Sequence, residues 1–178
     1  MRYEILLPAV RDKNPKCIVE VGTWNGKRAL EFLNLAPDAL YYGFDLFEDA
    51  TKETDREEMN VKPHYTVDAV YERLEGYKAQ LFKGNTRETL KWFKPELPVD
   101  FLWLDGGHSV ETIRSDWENI KPHLAKDAVV FFDDYYTGPI DTAKYGCNEV
   151  VKDILHEVLP ETDWVSGGGR VQIVRAYP

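Results

Sequence analysis

The sequence predicts one α/β domain spanning residues 1–178, a mostly parallel sheet with helices on both faces and an antiparallel last strand. Three observations predict it. Short apolar runs alternate with segments of helical period, which is how βαβ units read. Two of those runs stop at acids, at Asp105 and at Asp133 with Asp134, and sheets of this kind carry ligands at their strand ends. The C-terminal stretch has two β-like runs around Gly167-Gly168-Gly169, a hairpin signal. A chain of 178 residues is long enough to bury roughly 70% of the surface it exposes unfolded.

Taken in order, KCIVEVG at 16–22 reads as the first strand. GKRALEFLNLA at 26–36 reads as a helix with Ala29, Leu30, Leu33 and Leu35 inward. ALYYGFDLF at 39–47 is a second strand, and EDATKETDREEMNV at 48–61, acidic and without period, is an exposed excursion or lid. Thr66 caps a helix that Gly76 ends. AQLFKGN at 79–85 is a third strand, followed by a short helix from Thr86. VDFLWLD at 99–105 is the fourth strand, and a helix with Ser109 and Thr112 near its start follows. AVVFFDD at 128–134 is the fifth, and NEVVKDILHEVL at 148–159 reads as a helix with Val150, Val151, Ile154, Leu155 and Leu159 inward. With the two tail runs the sheet reaches seven strands.

Composition narrows the function. With 31 acidic and 22 basic residues the net charge is −9, which argues against a nucleic acid partner, since that affinity rests on Lys and Arg neutralising phosphates. Cys17 and Cys147 lie in no metal-type spacing and read as free thiols of a reducing compartment. There is no signal-like segment and no apolar run of about 18 residues, so a cytoplasmic protein without a membrane partner is expected.

The turn after the first strand reads E-V-G-T-W-N-G, with Glu20, Gly22, Thr23, Trp24 and Gly26. This is not the dinucleotide fingerprint, because bulky Trp24 and the acid Glu20 would crowd and repel a pyrophosphate. An acid there suits a cationic ligand, such as an amino group beside a sulfonium; the plain alternative is a tight strand-to-helix turn. Asp45, followed by Leu46, ends the second strand where an acid accepts both hydroxyls of a ribose. Asn85 and Thr86 either reach an adenine edge or merely make a turn and helix cap.

With these motifs in this order, the chain resembles class I S-adenosylmethionine-dependent methyltransferases of Rossmann-like fold. The aromatic inside the glycine motif is similar to the catechol O-methyltransferase group, and D-G-G-H with D-D-Y to the macrocin O-methyltransferase group, over roughly residues 16–158. The resemblance implies that Glu20, Gly22, Thr23, Trp24, Gly26, Asp45, Leu46, Asn85, Thr86 and Asp105 hold S-adenosylmethionine. It also implies transfer to a hydroxyl of a small-molecule acceptor, sugar or natural-product-like, and leaves room for a homodimer. Asp105, Asp133 and Asp134 would converge, and three carboxylates raise each other's pKa unless a cation intervenes. The resemblance carries ligation of Mg²⁺ or another divalent ion onto those three positions. It makes His108 the general base, with a reference pKa of about 6.5 suited to neutral pH. Against this, Asp105 to Ser109 reads equally as a capped loop. Kept beside the leading reading are a metal-independent methyltransferase of the same fold and a non-catalytic S-adenosylmethionine-binding module. The segment before the first strand, RYEILLPAV, is short for closing a site, and the excursion at 48–61 and the loop at 135–146, with Tyr135, Tyr136 and Tyr145, are expected to replace it.

Overall fold

The computed structural model describes residues 2–178. A 3₁₀ turn at Arg2–Ile5 leads into α1 (Leu6–Lys13). Then follow β1 (Cys17–Val21), α2 (Lys27–Leu35) and β2 (Leu40–Asp45). The excursion holds α3 (Lys52–Glu57), capped by Thr51, whose hydroxyl accepts from the Thr54 amide; none of its residues is buried. Next come α4 (Val67–Arg73), β3 (Ala79–Lys83), α5 (Thr86–Thr89), β4 (Val99–Leu104) and α6 (Val110–Ile120). The chain closes with β5 (Leu124–Thr137), α7 (Gly146–Val150), β6 (His156–Trp164) and β7 (Arg170–Ala176).

The seven strands form one sheet in the order β3-β2-β1-β4-β5-β7-β6. The first five pair in parallel, and β7 runs antiparallel to both β5 and β6. Strand alternation splits the core into two layers. Val19, Val21, Phe44, Leu102 and Leu104 pack with Leu90, Ile113, Trp117 and Val150 of the chain around α5, α6 and α7. Ile18, Tyr41, Phe101 and Trp103 pack on the other face with Leu6, Val10, Ala29, Phe32, Leu33 and Val70 of α1, α2 and α4. Helices therefore cover both faces, as the alternating pattern requires. No helix among the described residues is long and apolar enough to cross a membrane.

Two sequence expectations give way. In α2 it is Phe32, not Leu35, that turns inward: Leu35 is 38% exposed. The expected helix at 148–159 ends at Val150, a 3₁₀ turn covers Val151–Asp153, and from His156 the chain is β6. Backbone pairing decides this, since His156 registers with Ala176 and Val158 with Val174 on β7. Leu155, expected inward, is 76% exposed, while Leu159 is buried on the sheet. Pro160, which cannot donate to a ladder, lies in the outermost strand at the shift in register between Val158 and Thr162.

Candidate active site

Register brings the motifs together. Val21 pairs with Phe44 and with Leu104, and Leu104 with Phe132, so the next residues, Gly22, Asp45, Asp105 and Asp133, lie side by side at the C-terminal edge of the parallel strands. Between Phe132 and Tyr135 the β5 register shifts, and Asp134 takes φ +58. A bulge of this kind re-aims a side chain, and Asp tolerates the left-handed region better than most residues. Gly22 has φ +91, and a Cβ there would stand 1.9 Å from the Asp105 carbonyl oxygen, so only glycine lets the β1 turn pass the β4 loop.

The edge opens into a cleft of about 880 Å³, counting the part open to solvent. Of the residues expected at a cofactor, Gly22, Trp24, Asp45, Leu46, Asn85, Thr86 and Asp105 line it, with His108. Asp45 Oδ2 accepts from the Trp24 amide at 2.7 Å and Oδ1 from the Phe47 amide at 2.8 Å. That pins a carboxylate at the mouth with lone pairs to spare. Asn85 caps α5, its Oδ1 accepting from the Arg87 amide. Trp24 forms a wall of the cleft: its indole N–H donates to the Pro63 carbonyl at 2.7 Å and its ring meets Tyr65 edge-on.

Glu20, Thr23 and Gly26 are not among the lining residues. Glu20 shares the sheet face of Ile18 and is 1% exposed. Its carboxylate accepts from the Tyr41 hydroxyl, and burial pushes its pKa up to about 8 although that bond and Arg28 oppose the rise. Thr23 is buried with its hydroxyl 3.4 Å from that of Tyr41. Gly26 begins α2 with φ +73, where a Cβ would meet Val70 at 2.7 Å.

The excursion folds over the cleft, contributing Thr54, Asp55, Glu57, Glu58 and Asn60 to its lining, and Lys62 follows it there. Glu58 binds the first turn of α6: its carboxylate accepts from the Ser109 amide (2.9 Å), the Ser109 hydroxyl (3.1 Å) and the Thr112 hydroxyl (2.5 Å). Its carbonyl accepts from His108 Nδ1 at 2.5 Å.

A smaller cavity adjoins the cleft and shares Asp105, Gly106, Gly107 and His108 with it; Asp133, Asp134 and Tyr145 are among its other walls. Tyr145 stacks on Tyr136 with centroids 3.8 Å apart. As expected, Asp105, Asp133 and Asp134 gather, one carboxylate oxygen of each lying within 4.8 Å of the others. Cations already serve two of them. Arg2 meets Asp133 bidentately, Nε to Oδ1 at 2.9 Å and Nη2 to Oδ2 at 2.8 Å, and Nη2 also reaches Asp134 Oδ1 at 3.1 Å. His108 Nε2 meets Asp134 Oδ2 at 2.5 Å.

Burial and these pairings shift the groups in different directions. Burial would lower the His108 pKa, but the hydrogen bond and charge of Asp134, with the Glu58 carbonyl, raise it above the usual histidine value. Burial raises the Asp134 pKa, and His108 and Arg2 outweigh that, holding it below the usual carboxylate range. Asp105 goes the other way: burial and the charge of Asp133 lift it well above that range, Asp134 adds to the lift, and Lys62 opposes it. Arg2 on Asp133 and Asp134, and His108 on Asp134, already supply partners to the two acids of β5. A divalent ion needs oxygens free to enter its coordination sphere, and at Asp133 it would stand against a fixed guanidinium. The donor set in this arrangement therefore does not fit one. Arg2 and Glu58 carried no signal in the sequence reading; the short RYEILLPAV element and the acidic run only marked their segments.

A family model described as a methyltransferase domain matches residues 19–135, which takes in the glycine turn, Asp45, the 105–108 loop, Asp133 and Asp134. No curated protein matches the chain in sequence. Among solved structures, the O-methyltransferase from Bacillus cereus in complex with S-adenosylhomocysteine superposes with a TM-score of 0.67 at 14% identity, covering 98% of this chain and 80% of that one. TomG of Streptomyces achromogenes, an O-methyltransferase of tomaymycin synthesis in complex with S-adenosylmethionine, gives 0.67 at 14%, covering 98% and 79%. The Podospora anserina methyltransferase PaMTH1, bound to S-adenosylhomocysteine, gives 0.61 at 17%, covering 98% and 77%. Those likenesses establish the fold; the family match spans more than half of the chain and contains its site, and the protein belongs to the methyltransferase-domain family.

Proposed function

We propose that the protein transfers the methyl group of S-adenosylmethionine to a hydroxyl oxygen of a small-molecule acceptor of sugar or natural-product type. The observation that carries the reading is one continuous edge: a cleft with a pinned carboxylate at Asp45 runs past Asp105 and His108 to a small adjoining cavity beside Asp133, Asp134 and Tyr145. Asp45 is suited to accept the ribose hydroxyls, the Gly22 turn to admit the methionine part past the β4 loop, and Asn85 and Thr86 to face the base. The bound cofactor supplies an activated methyl on a positively charged sulfur. Methyl transfer breaks that carbon–sulfur bond, leaves a neutral thioether, and forms the carbon–oxygen bond to the acceptor. The hydroxyl proton must go to a base, and His108 is the candidate. Its Nδ1–H is held by the Glu58 carbonyl, which leaves Nε2 as the accepting atom. For that, Nε2 exchanges Asp134 for the acceptor hydroxyl, while Asp134 stays on Arg2. The enclosed edge orients the reacting groups, the main requirement of a direct displacement.

A second reading places Mg²⁺ at Asp105, Asp133 and Asp134; the clustering of those acids supports it, and the bidentate hold of Arg2 on Asp133 opposes it. The test is S-adenosylhomocysteine release from S-adenosylmethionine across a panel of hydroxylated acceptors, with EDTA and with added Mg²⁺. Turnover with EDTA supports the first reading, turnover only with Mg²⁺ the second. Cofactor binding without turnover on any acceptor would leave a binding module.

A further inference from the structure

We propose that Arg2 takes the place of a divalent cation in this chain, clamping the acids at the end of β5 and positioning His108 through Asp134. Its effect on catalysis rests on the methyl-transfer reading; the clamp itself does not.

Arg2 lies on the 3₁₀ turn ahead of α1, yet its acidic partners come from the far end of the chain. Both oxygens of Asp133, Oδ1 of Asp134 and Oδ2 of Asp163 on β6 (3.0 Å) accept from its three nitrogens. The guanidinium is a planar fork that fits a carboxylate with two parallel bonds, which a lysine ammonium cannot do. The Arg2 and Asp133 side chains are 10% and 1% exposed, so the pair is set into the fold.

The fork is also held in place. Tyr3 accepts from Arg2 Nη2 at 2.7 Å, its ring lies 4.5 Å from the Arg2 guanidinium carbon and 5.0 Å from that of Arg28, and it meets Trp103 edge-on at 6.1 Å. A side chain with this many fixed contacts is a structural member of the site. A resident metal ion would draw the three acids inward; here a side chain draws two of them.

Arg2 holds Asp134 by Oδ1, which leaves Oδ2 directed at His108 Nε2, and His108 Nδ1 is fixed by the Glu58 carbonyl. Arg2, Asp134, His108 and Glu58 thus form one hydrogen-bonded line from the N-terminal turn to the excursion. Arg2 touches neither the cleft nor the proposed acceptor, so it is a positioning residue, and its charge makes a second cation at Asp133 unfavourable.

The experiment is a Mn²⁺ titration of the EDTA-stripped full chain, tagged at the C-terminus and followed by electron paramagnetic resonance. Wild type is expected to take up no Mn²⁺ to about 1 mM, the weak end of protein sites for hard divalent ions. Arg2→Gln is expected to bind one ion with affinity raised by about 100-fold, because one nearby positive charge is removed; adding Asp133→Asn abolishes the gain, and Arg2→Lys stays free of metal. Stoichiometric Mn²⁺ in wild type overturns the proposal, as does a folded Arg2→Gln that remains free of metal. Should that variant fail to fold, anomalous diffraction from Mn²⁺-soaked wild-type crystals decides: Arg2 on Asp133 with no peak supports the clamp, and a peak among the three acids with Arg2 displaced refutes it. S-adenosylhomocysteine binding, measured alongside, separates the two readings. Its absence in wild type sinks methyl transfer and leaves the clamp standing.

Discussion

Replacing Glu58 with Ala should release the excursion without unfolding the domain. The helix α3 buries nothing, so apolar packing does little to hold this segment down. Glu58 instead fastens it, its carboxylate accepting three hydrogen bonds from Ser109 and Thr112. A bond to a charged acceptor contributes about 1.5–3 kcal/mol. These three share one partly exposed carboxylate and are not additive, which places local closure near ~3 kcal/mol, about a 100-fold shift in the open population. Helix α6 keeps its own cap, since the Ser109 hydroxyl accepts from the Thr112 amide at 3.2 Å. Hydrogen exchange followed by mass spectrometry should therefore show peptides from residues 50–62 exchanging about 100-fold faster in Glu58→Ala, with strand peptides unchanged. Unchanged exchange over 50–62, or equal acceleration throughout the sheet, would refute the idea that this side chain latches a lid.

Other substitutions probe other parts of the edge. Asp45→Asn replaces an acceptor of two amide hydrogens with a group that has one oxygen; calorimetry should show S-adenosylhomocysteine affinity falling by about 10-fold or more, one charge-assisted bond at the least. If His108 is the base, its raised pKa puts the acid limb of the rate profile above the usual value of about 6.5: activity falls as pH drops through that pKa, and Asp134→Asn should move the limb downward. The same group stabilises the fold below about pH 6.5, an effect lost as pH rises through the folded-state pKa. Glu20, protonated in the fold up to about pH 8, adds stability that is complete below the unfolded carboxylate value and lost as pH climbs to 8. Glu20→Gln should flatten denaturant midpoints over that window, against a wild-type change of at most about 5 kcal/mol at 1.36 kcal/mol for each pKa unit.

Much of this edge was legible because strand ends announce themselves. An apolar run that stops at an acid fixes both the strand and the acid's place, and Asp45, Asp105 and Asp133 come to the sheet edge as read. Glu20 shows the limit of motif reading. Its distance of two residues from Ile18 puts it on that residue's sheet face, under α2, and that alternation says more than its neighbouring glycine. The segment 148–159 has apolar spacing compatible with a helix, and only pairing with β7, formed later in the chain, makes its second half a strand. Arg2 is the clearest case of what periodicity cannot carry, because its acidic partners are 131 or more residues away. Glu58 was hidden differently: in a run of like charges nothing local marks which acid turns inward.

The decisive measurement is a calorimetric titration of the full chain with S-adenosylhomocysteine, in EDTA. One molecule bound per chain in the micromolar range, with the heat lost in Asp45→Ala, is the expected result. A folded chain that shows no binding, or binding that survives loss of the Asp45 carboxylate, would contradict the assignment of this cleft to the methyl donor.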